Sequence, residues 1–416
     1  MSDVSWQIKS LSELGRFSRG KSKHRPRNDK KLFTNGTYPL IQTGDIKNAN
    51  LYVTKNSDYY NEFGLSQSKL WEQGTLCITI AANIAETAIL SYPMCFPDSV
   101  VGFNAHKNES SELFVYYVFE LIKKEIQKTS SGSIQDNINI DYLTKLKFKV
   151  PNKDYQDSIV NLLSTIDKKI LINNQINEEL EAMAKTLYDY WFVQFDFPDE
   201  NGKPYKSSGG KMVYNDQLKR VIPEGWGVEQ LGDIETNIVT GKTPSRSIPE
   251  NFGGDIPFIT IGDIRGNTFI FSSAETLSDL GADGQRKKYL PPNSLCVSCI
   301  ATVGEIGFTT QLSQTNQQIN SIIFNDVSHM YFLYFALKLF FESSKTKTGN
   351  TFANMSKDDF SNILIIYPDS SVIKNYYEKV TSMFDKIKCL QLQNQELTQL
   401  RDWLLPMLMN GQVKVE

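Results

Sequence analysis

Lys242 and Thr243, in the run Val239-Thr240-Gly241-Lys242-Thr243-Pro244, are the residue types of a phosphate-binding loop, where lysine meets the phosphates and the hydroxyl meets magnesium. That loop needs another glycine five positions before Gly241, and Thr236 stands there, so nucleotide chemistry does not follow. Cys296 and Cys299 have the spacing of half a zinc site. They lie in an apolar, strand-like run, where a three-residue spacing sends them to opposite faces, and the sequence offers no second ligand pair. His24, His106 and His329 are far apart and lack metal-ligand spacing. Ser344 and Lys347 match a serine-nucleophile motif by chance in a polar loop, and Pro198-Asp199-Glu200 has nuclease-like carboxylates but no nearby Glu-x-Lys. Leu290-Pro291-Pro292-Asn293 is not the Asn/Asp-Pro-Pro-aromatic motif of amino-methyltransferases, and no glycine-rich cofactor loop precedes it. The chain therefore reads as a platform without catalysis, metal or cofactor of its own.

Charge distribution says more than total charge. The net value of −3 over 416 residues does not favour nucleic acid, yet Arg16, Arg19, Lys21, Lys23, His24, Arg25, Arg27, Lys30 and Lys31 crowd one stretch against Asp29 alone. Glu178, Glu179, Glu181 and Asp189 give a later stretch the opposite sign. Five scattered cysteines suit reduced thiols, no run approaches a membrane span, and the first residues lack the apolar region of a signal peptide. These features place the chain in the cytoplasm.

The elements that must position these groups are set by heptads. From Asp154 to Phe192, Ile159, Leu163, Ile166, Ile170, Asn173, Asn177, Leu180, Ala184, Leu187 and Trp191 alternate at spacings of four and three, with no Gly or Pro. About 39 residues at ~1.5 Å each make a helix of roughly 58 Å, which needs a partner. Tyr376, Val380, Met383, Ile387, Leu390, Asn394, Leu397 and Leu404 supply one in the same frame, interrupted by Arg401. The spacing predicts that the two helices zip together; parallel and antiparallel pairing both fit the chain, antiparallel is the favoured arrangement, and Asn177 and Asn394 would be its polar register pair.

Around the helices the chain repeats. Thr43-Gly44-Asp45-Ile46 returns as Ile261-Gly262-Asp263-Ile264, 218 positions later, and Leu76-Cys77 returns as Leu295-Cys296 after 219. Each copy has short strands, a helix (Glu112 to Gln127; Tyr331 to Phe341) and a loop of small and polar residues at 130–137 or 348–354. Those loops suit either a close approach to a ligand or simple turns. For Gly44-Asp45 and Gly262-Asp263 a structural turn is expected. The resulting organisation is a lobe at 1–152, a helix at 153–195, a connector of low core content at 196–224, a second lobe at 225–369 and a second helix at 370–416. The class is α+β.

Several stretches resemble the specificity subunits of type I restriction-modification systems: RGKSKHRPRND with YPLIQTGDI, PEGWGVEQLGDI, TGKTP with IPFITIGDI, LCVSCIATVGEIGF with TNQQINSI, WFVQFDFPDENGKPYKSSGGKMV and LLPMLMNGQVKVE. The resemblance covers essentially the whole chain. It implies two similar globular target-recognition domains separated by two long helices packed as an antiparallel coiled coil, a pseudo-two-fold symmetric tandem repeat. Each domain would read one half of a bipartite, asymmetric site in double-stranded DNA, with the helices fixing the gap and docking methyltransferase subunits. Restriction endonuclease/translocase subunits would complete the assembly. S-adenosylmethionine, ATP and Mg would belong to those partners, and no membrane is involved.

On this reading Arg and Lys neutralise phosphates, while Arg, Lys, Asn and Gln read base edges. The candidates in the first domain are Arg19, Lys21, Lys23, Arg25 and Arg27. In the second, the likeness of TGKTPS to RGKSKH selects Lys242, Thr243, Ser245 and Arg246, with Arg265 added. Arg286, Lys287 and Lys288 are weaker candidates, being a charge run beside a turn. Solvated loop charge is the plain alternative for each. The acidic Glu178, Glu179 and Glu181 are the expected docking face for partner subunits. A non-catalytic protein-binding scaffold or decoy of the same architecture is the alternative function.

Overall fold

A computed structural model describes residues 5–81, 83–131, 140–348 and 354–415. The chain divides into two compact units, one formed by Met1–Leu171 with Glu396–Glu416, the other by Ile172–Gln395.

In the first unit, β1 (Gly15–Arg19), β2 (Tyr52–Val53), β3 (Leu76–Thr79), β4 (Thr87–Leu90) and β5 (Val100–Ala105) form a sheet ordered β1-β5-β3-β4-β2. Only the β4/β2 pair is parallel. Alternation along β3 divides two cores, because successive side chains leave a strand on opposite faces. Leu76 and Ile78 join Phe114 and Val118 of helix α1 (Glu112–Ser131), whereas Cys77 joins Ile41, Trp71, Phe96 and Val100. Helix α2 (Lys153–Tyr188) begins in this unit, burying Ile159 and Leu163 in the first of those cores.

The second unit repeats the design strand for strand. Its sheet, β6 (Ile238–Thr240), β7 (Phe269–Ile270), β8 (Leu295–Ser298), β9 (Ile306–Thr309) and β10 (Ile319–Ile322), is ordered β6-β10-β8-β9-β7, again with only the β9/β7 pair parallel. Helix α3 (His329–Thr348) covers one face with Phe332, Leu333 and Phe335. Cys296 packs with Ile259 and Ile319 and Cys299 with the core under α3, so the two thiols do face opposite ways. Burial pushes them up to about 12 and about 11, the state of inert core thiols.

Smaller features repeat too. Trp6–Ser10 pairs antiparallel with Lys147–Pro151, and Gly227–Gln230 with Leu364–Tyr367. Tyr38–Leu40 pairs antiparallel with Asp58–Tyr60 and parallel with Met94–Cys95, as Phe252–Ile259 does with Glu275–Leu277 and Gln314–Thr315. The Gly-Asp dipeptides, expected as structural turns, sit in the short helices Thr43–Asn48 and Ile261–Ile264. There the carboxylates of Asp45 and Asp263 accept from the backbone N–H of Gln42 and Thr260, both at 2.7 Å, which caps each helix. The polar loops at 130–137 and 348–354 fall largely outside the described residues.

Within each unit α2 packs antiparallel to helix α4 (Ser370–Met409). In the first, Tyr155 donates to the Val413 carbonyl at 2.9 Å and Arg401 meets Asp167 at 2.8 Å; in the second, Asn173 meets Asn394 at 2.8 Å and Tyr376 donates to the Ala184 carbonyl at 3.0 Å. Of the seam positions, Ile159, Leu163, Ile166, Val380, Ile387 and Leu390 are buried, while Leu180, Leu187 and Met383 pack partly buried against the core. Ile170, Leu397 and Leu404 are half-buried. Near the C-terminus Leu405 and Leu408 carry the burial instead of Leu404, as expected when a helix of ~3.6 residues per turn drifts off a seven-residue repeat.

Three expectations need correction. Asn394 bonds Asn173 and Asn174, at 2.8 and 2.7 Å, not Asn177, because sequence-equivalent positions of antiparallel helices do not face each other in this register. Arg401 does not merely interrupt the seam: it joins the buried Asp167, whose other carboxylate oxygen accepts from Tyr117 at 2.5 Å. Residues 196–224 are no low-core connector either. Phe197 stacks on Tyr205 and Trp226, Ile222 is buried, and Met212–Asn215 pairs with Arg220–Pro223. Gly, Pro and Lys mark the turns of this segment, while its sparse aromatics make the core. Phe197→Ala should destabilise the second unit by about 3 kcal/mol, read by denaturant unfolding monitored by hydrogen exchange; an unchanged midpoint would return the segment to linker status.

Candidate nucleic-acid interface

The best-positioned cations follow the edge strands β1 and β6. Each strand is followed by a glycine that presses on the turn before the last strand of its sheet: Gly20 donates to the Val100 carbonyl at 2.8 Å and Gly241 to that of Ile319 at 3.0 Å. A Cβ on Gly20 would lie 2.3 Å from the Pro97 carbonyl oxygen, and one on Gly241 2.1 Å from that of Asn316. Glycine is thus required here by close backbone approach, not by phosphate cradling, which accounts for the incomplete likeness of TGKTP to a nucleotide loop. Gly241→Ala should displace the loop and weaken ligand binding at least tenfold, measured by DNA titration; retained affinity would separate the loop from binding.

Lys21 and Lys242 follow these glycines at equivalent places, and both are exposed. The carbonyl of each is gripped from a neighbouring segment, Lys21 by the Ser68 hydroxyl and Lys242 by the Gln285 amide, both at 2.8 Å. The facing turn also corresponds: Asp98 meets Arg27 at 2.6 Å and Arg25 at 3.8 Å, and Gln317 accepts from Thr243 at 2.6 Å.

The first unit brings its five candidates together around one loop. Arg25 also donates to the carbonyls of Ser22 and His24, at 2.5 and 2.8 Å, and Arg27 is half-exposed beside Asp98. Arg19, Lys21 and Lys23 are exposed and make no ion pair among the described residues. In the second unit Lys242 and Thr243 share the loop, and Ser245 bonds Ser247 at 2.7 Å. Arg246 is clamped by both oxygens of Glu275, at 2.9 and 2.7 Å, so its charge is locally matched; the same bonds hold the Glu275 carboxyl below its usual range. Arg265 stands elsewhere, after Ile261–Ile264, facing Glu305 at 3.5 Å and Thr302 at 3.3 Å. The Ser68 and Gln285 contacts add residues that the sequence left aside or ranked low. They set Lys69 beside the first loop and Arg286, Lys287 and Lys288 beside the second. The repeat offset between Ser68 and Gln285 could have signalled this, but nothing in their chemistry does.

The acidic docking face also changes. Glu181 pairs with Lys338 and accepts from Tyr334 at 2.9 Å, so it braces the second unit internally, while Glu178 and Glu179 remain exposed.

The family model described as "Type I restriction modification DNA specificity domain" matches residues 3–182 and again 223–400. The HindI specificity subunit of Haemophilus influenzae is 34% identical over 359 residues, which cover 74% of this chain and 75% of that protein. The MjaIX specificity subunit of Methanocaldococcus jannaschii is 26% identical over 430 residues, covering 99% and 94%. Among solved structures, the S subunit of a type I restriction-modification system from M. genitalium shares the fold with a TM-score of 0.56 at 16% identity, covering 98% of this chain and 97% of that one.

Proposed function

Because the chain belongs to the family of type I restriction-modification DNA specificity subunits, we propose that its two units each read one half of a bipartite, asymmetric DNA site. One observation carries this: the same Gly-Lys loop, held by the same backbone bond and by a side chain that grips the same lysine carbonyl, follows the equivalent edge strand in both units. Two copies of one device with different neighbours, Asp98 in one and Gln317 in the other, suit two half-sites of different sequence. Phosphate contacts from the exposed lysines set position, and side chains on the facing turns reach base edges.

The chain itself is non-catalytic on this reading. Methyltransferase subunits dock on α2 and α4 and bring S-adenosylmethionine; endonuclease/translocase subunits bring ATP and Mg; the assembly works in the cytoplasm. No helix among the described residues is long and apolar enough to cross a membrane. Co-expression with its methyltransferase subunit in a methylation-free host, followed by base-resolution methylation mapping, should give one split motif. A continuous motif, or none, would overturn the reading.

Salt dependence tests the loop itself. Lys21→Ala with Lys23→Ala should lower the slope of log affinity against log salt by roughly 1.8. Arg25→Ala with Arg27→Ala should lower it less, because Asp98 already holds those charges. Equal slopes for both pairs would remove the distinction.

A further inference from the structure

We propose that each unit grips DNA with a second cationic prong, Lys69 in the first and Lys287-Lys288 in the second, tied to the Gly-Lys loop by Ser68 and Gln285. This rests on the DNA-reading assignment above and deepens it.

The two ties are equivalent in place but not in chemistry. A serine hydroxyl reaches the Lys21 carbonyl in one unit, and a glutamine amide reaches the Lys242 carbonyl in the other. Similar contacts made by dissimilar residues in two copies of a fold point to a shared requirement for the contact. Further bonds tighten the first tie: the backbone N–H of His24 donates to the Gln67 side chain at 3.0 Å, and that of Lys23 to the Gln67 carbonyl at 3.4 Å. In the second unit Gln285 also donates to Gln314 at 2.7 Å, which anchors the tie to the sheet containing Phe252–Ile259.

In the first unit the tie brings Lys69 near Lys21, a gathering of like charge that costs energy unless an anion repays it; in the second it fixes the turn carrying Lys287 and Lys288 to the Lys242 carbonyl. The Lys69 ammonium lies 3.5 Å over the Trp71 ring, and partial burial there, then the nearby Lys21, holds its pKa below the usual lysine range despite Glu72. Lys287 is exposed and Lys288 half-exposed on the turn after Gln285. Arg286 is spoken for by Asp283 at 2.7 Å and is left out of the prong. The ligand that suits two groups of cations held at fixed separation is a phosphodiester backbone.

The test uses the full chain assembled with its methyltransferase subunits and a duplex bearing the mapped motif. Lys69→Ala, and Lys287→Ala with Lys288→Ala, should weaken binding roughly three- to tenfold per cation and lower the salt slope by about 0.9 per cation. Ser68→Ala should weaken binding with the slope unchanged, since it removes a tie and no charge, and Ser68→Thr should restore it. Wild-type affinity and slope in the lysine variants would overturn the prong, as would a silent Ser68→Ala. Lys21→Ala, run in parallel, separates the levels: if it alone moves the slope, the DNA-reading loop stands and the prong falls. If no variant moves it, both fall.

Discussion

Exchange of residues 1–152 for the matching segment of a relative with another target changes one half of the methylated motif and leaves the other half as it was. Methylation at the original motif falls to background, because specific sites are typically bound at least ~10³-fold more tightly than non-specific ones. The expectation follows from the separate cores: the sheet, the cores on its two faces and the Gly-Lys loop of the first unit are built from residues before Pro151, apart from helix side chains such as Ile159, Leu163, Leu405 and Leu408. The exchange therefore has to respect that helical floor. A donor segment with tyrosine at the place of Tyr117 keeps the bond to Asp167, whereas one without it leaves that carboxylate short of a partner. Methylation mapping that showed both halves altered, or neither, would refute independent reading.

Asp167→Ala should cost the first unit about 2 kcal/mol, because it removes the buried member of an ion pair and a hydroxyl's acceptor. Asp167 has a side chain only 6% exposed and holds Arg401, itself 26% exposed, while Tyr117 donates to its other oxygen. Removing the acid leaves Arg401 to the exposed Asp402 alone, at 2.9 Å, and strands the Tyr117 hydroxyl in the helix seam, where a polar group short of a partner carries its desolvation cost uncompensated. Asp167→Leu with Arg401→Met should recover most of the loss. Hydrogen exchange across 153–171 and 396–409 under denaturant reads the effect locally. Single and double variants of equal stability would show that the pair carries no such penalty.

Much of this was legible in the sequence because it rests on periodicity and repetition. The heptads of Ile159 to Trp191 and Tyr376 to Leu397 found both helices, and the Thr43 and Ile261 tetrapeptides found the duplication. What stayed hidden depends on register and long-range contact. The helix frame could not say that Asn394 meets Asn173 and Asn174, since that follows from which turns face each other. Composition could not show that Phe197, Tyr205 and Trp226 stack, because a few aromatics build a core amid many turn formers. The interface was half visible: charge counting located Arg19 to Arg27, but Ser68 and Gln285 act through backbone carbonyls distant in sequence.

The strand pairs that place Trp6 opposite Pro151 and Gly227 opposite Tyr367 bear on how such a protein changes over generations. Both ends of each lobe lie side by side on one antiparallel ladder, so a lobe is a cassette, spliced in through two adjacent seams without rethreading the chain. Genetic crossovers near those four residues would deliver a new specificity in one step. Between them, point mutation has to work against two packed cores.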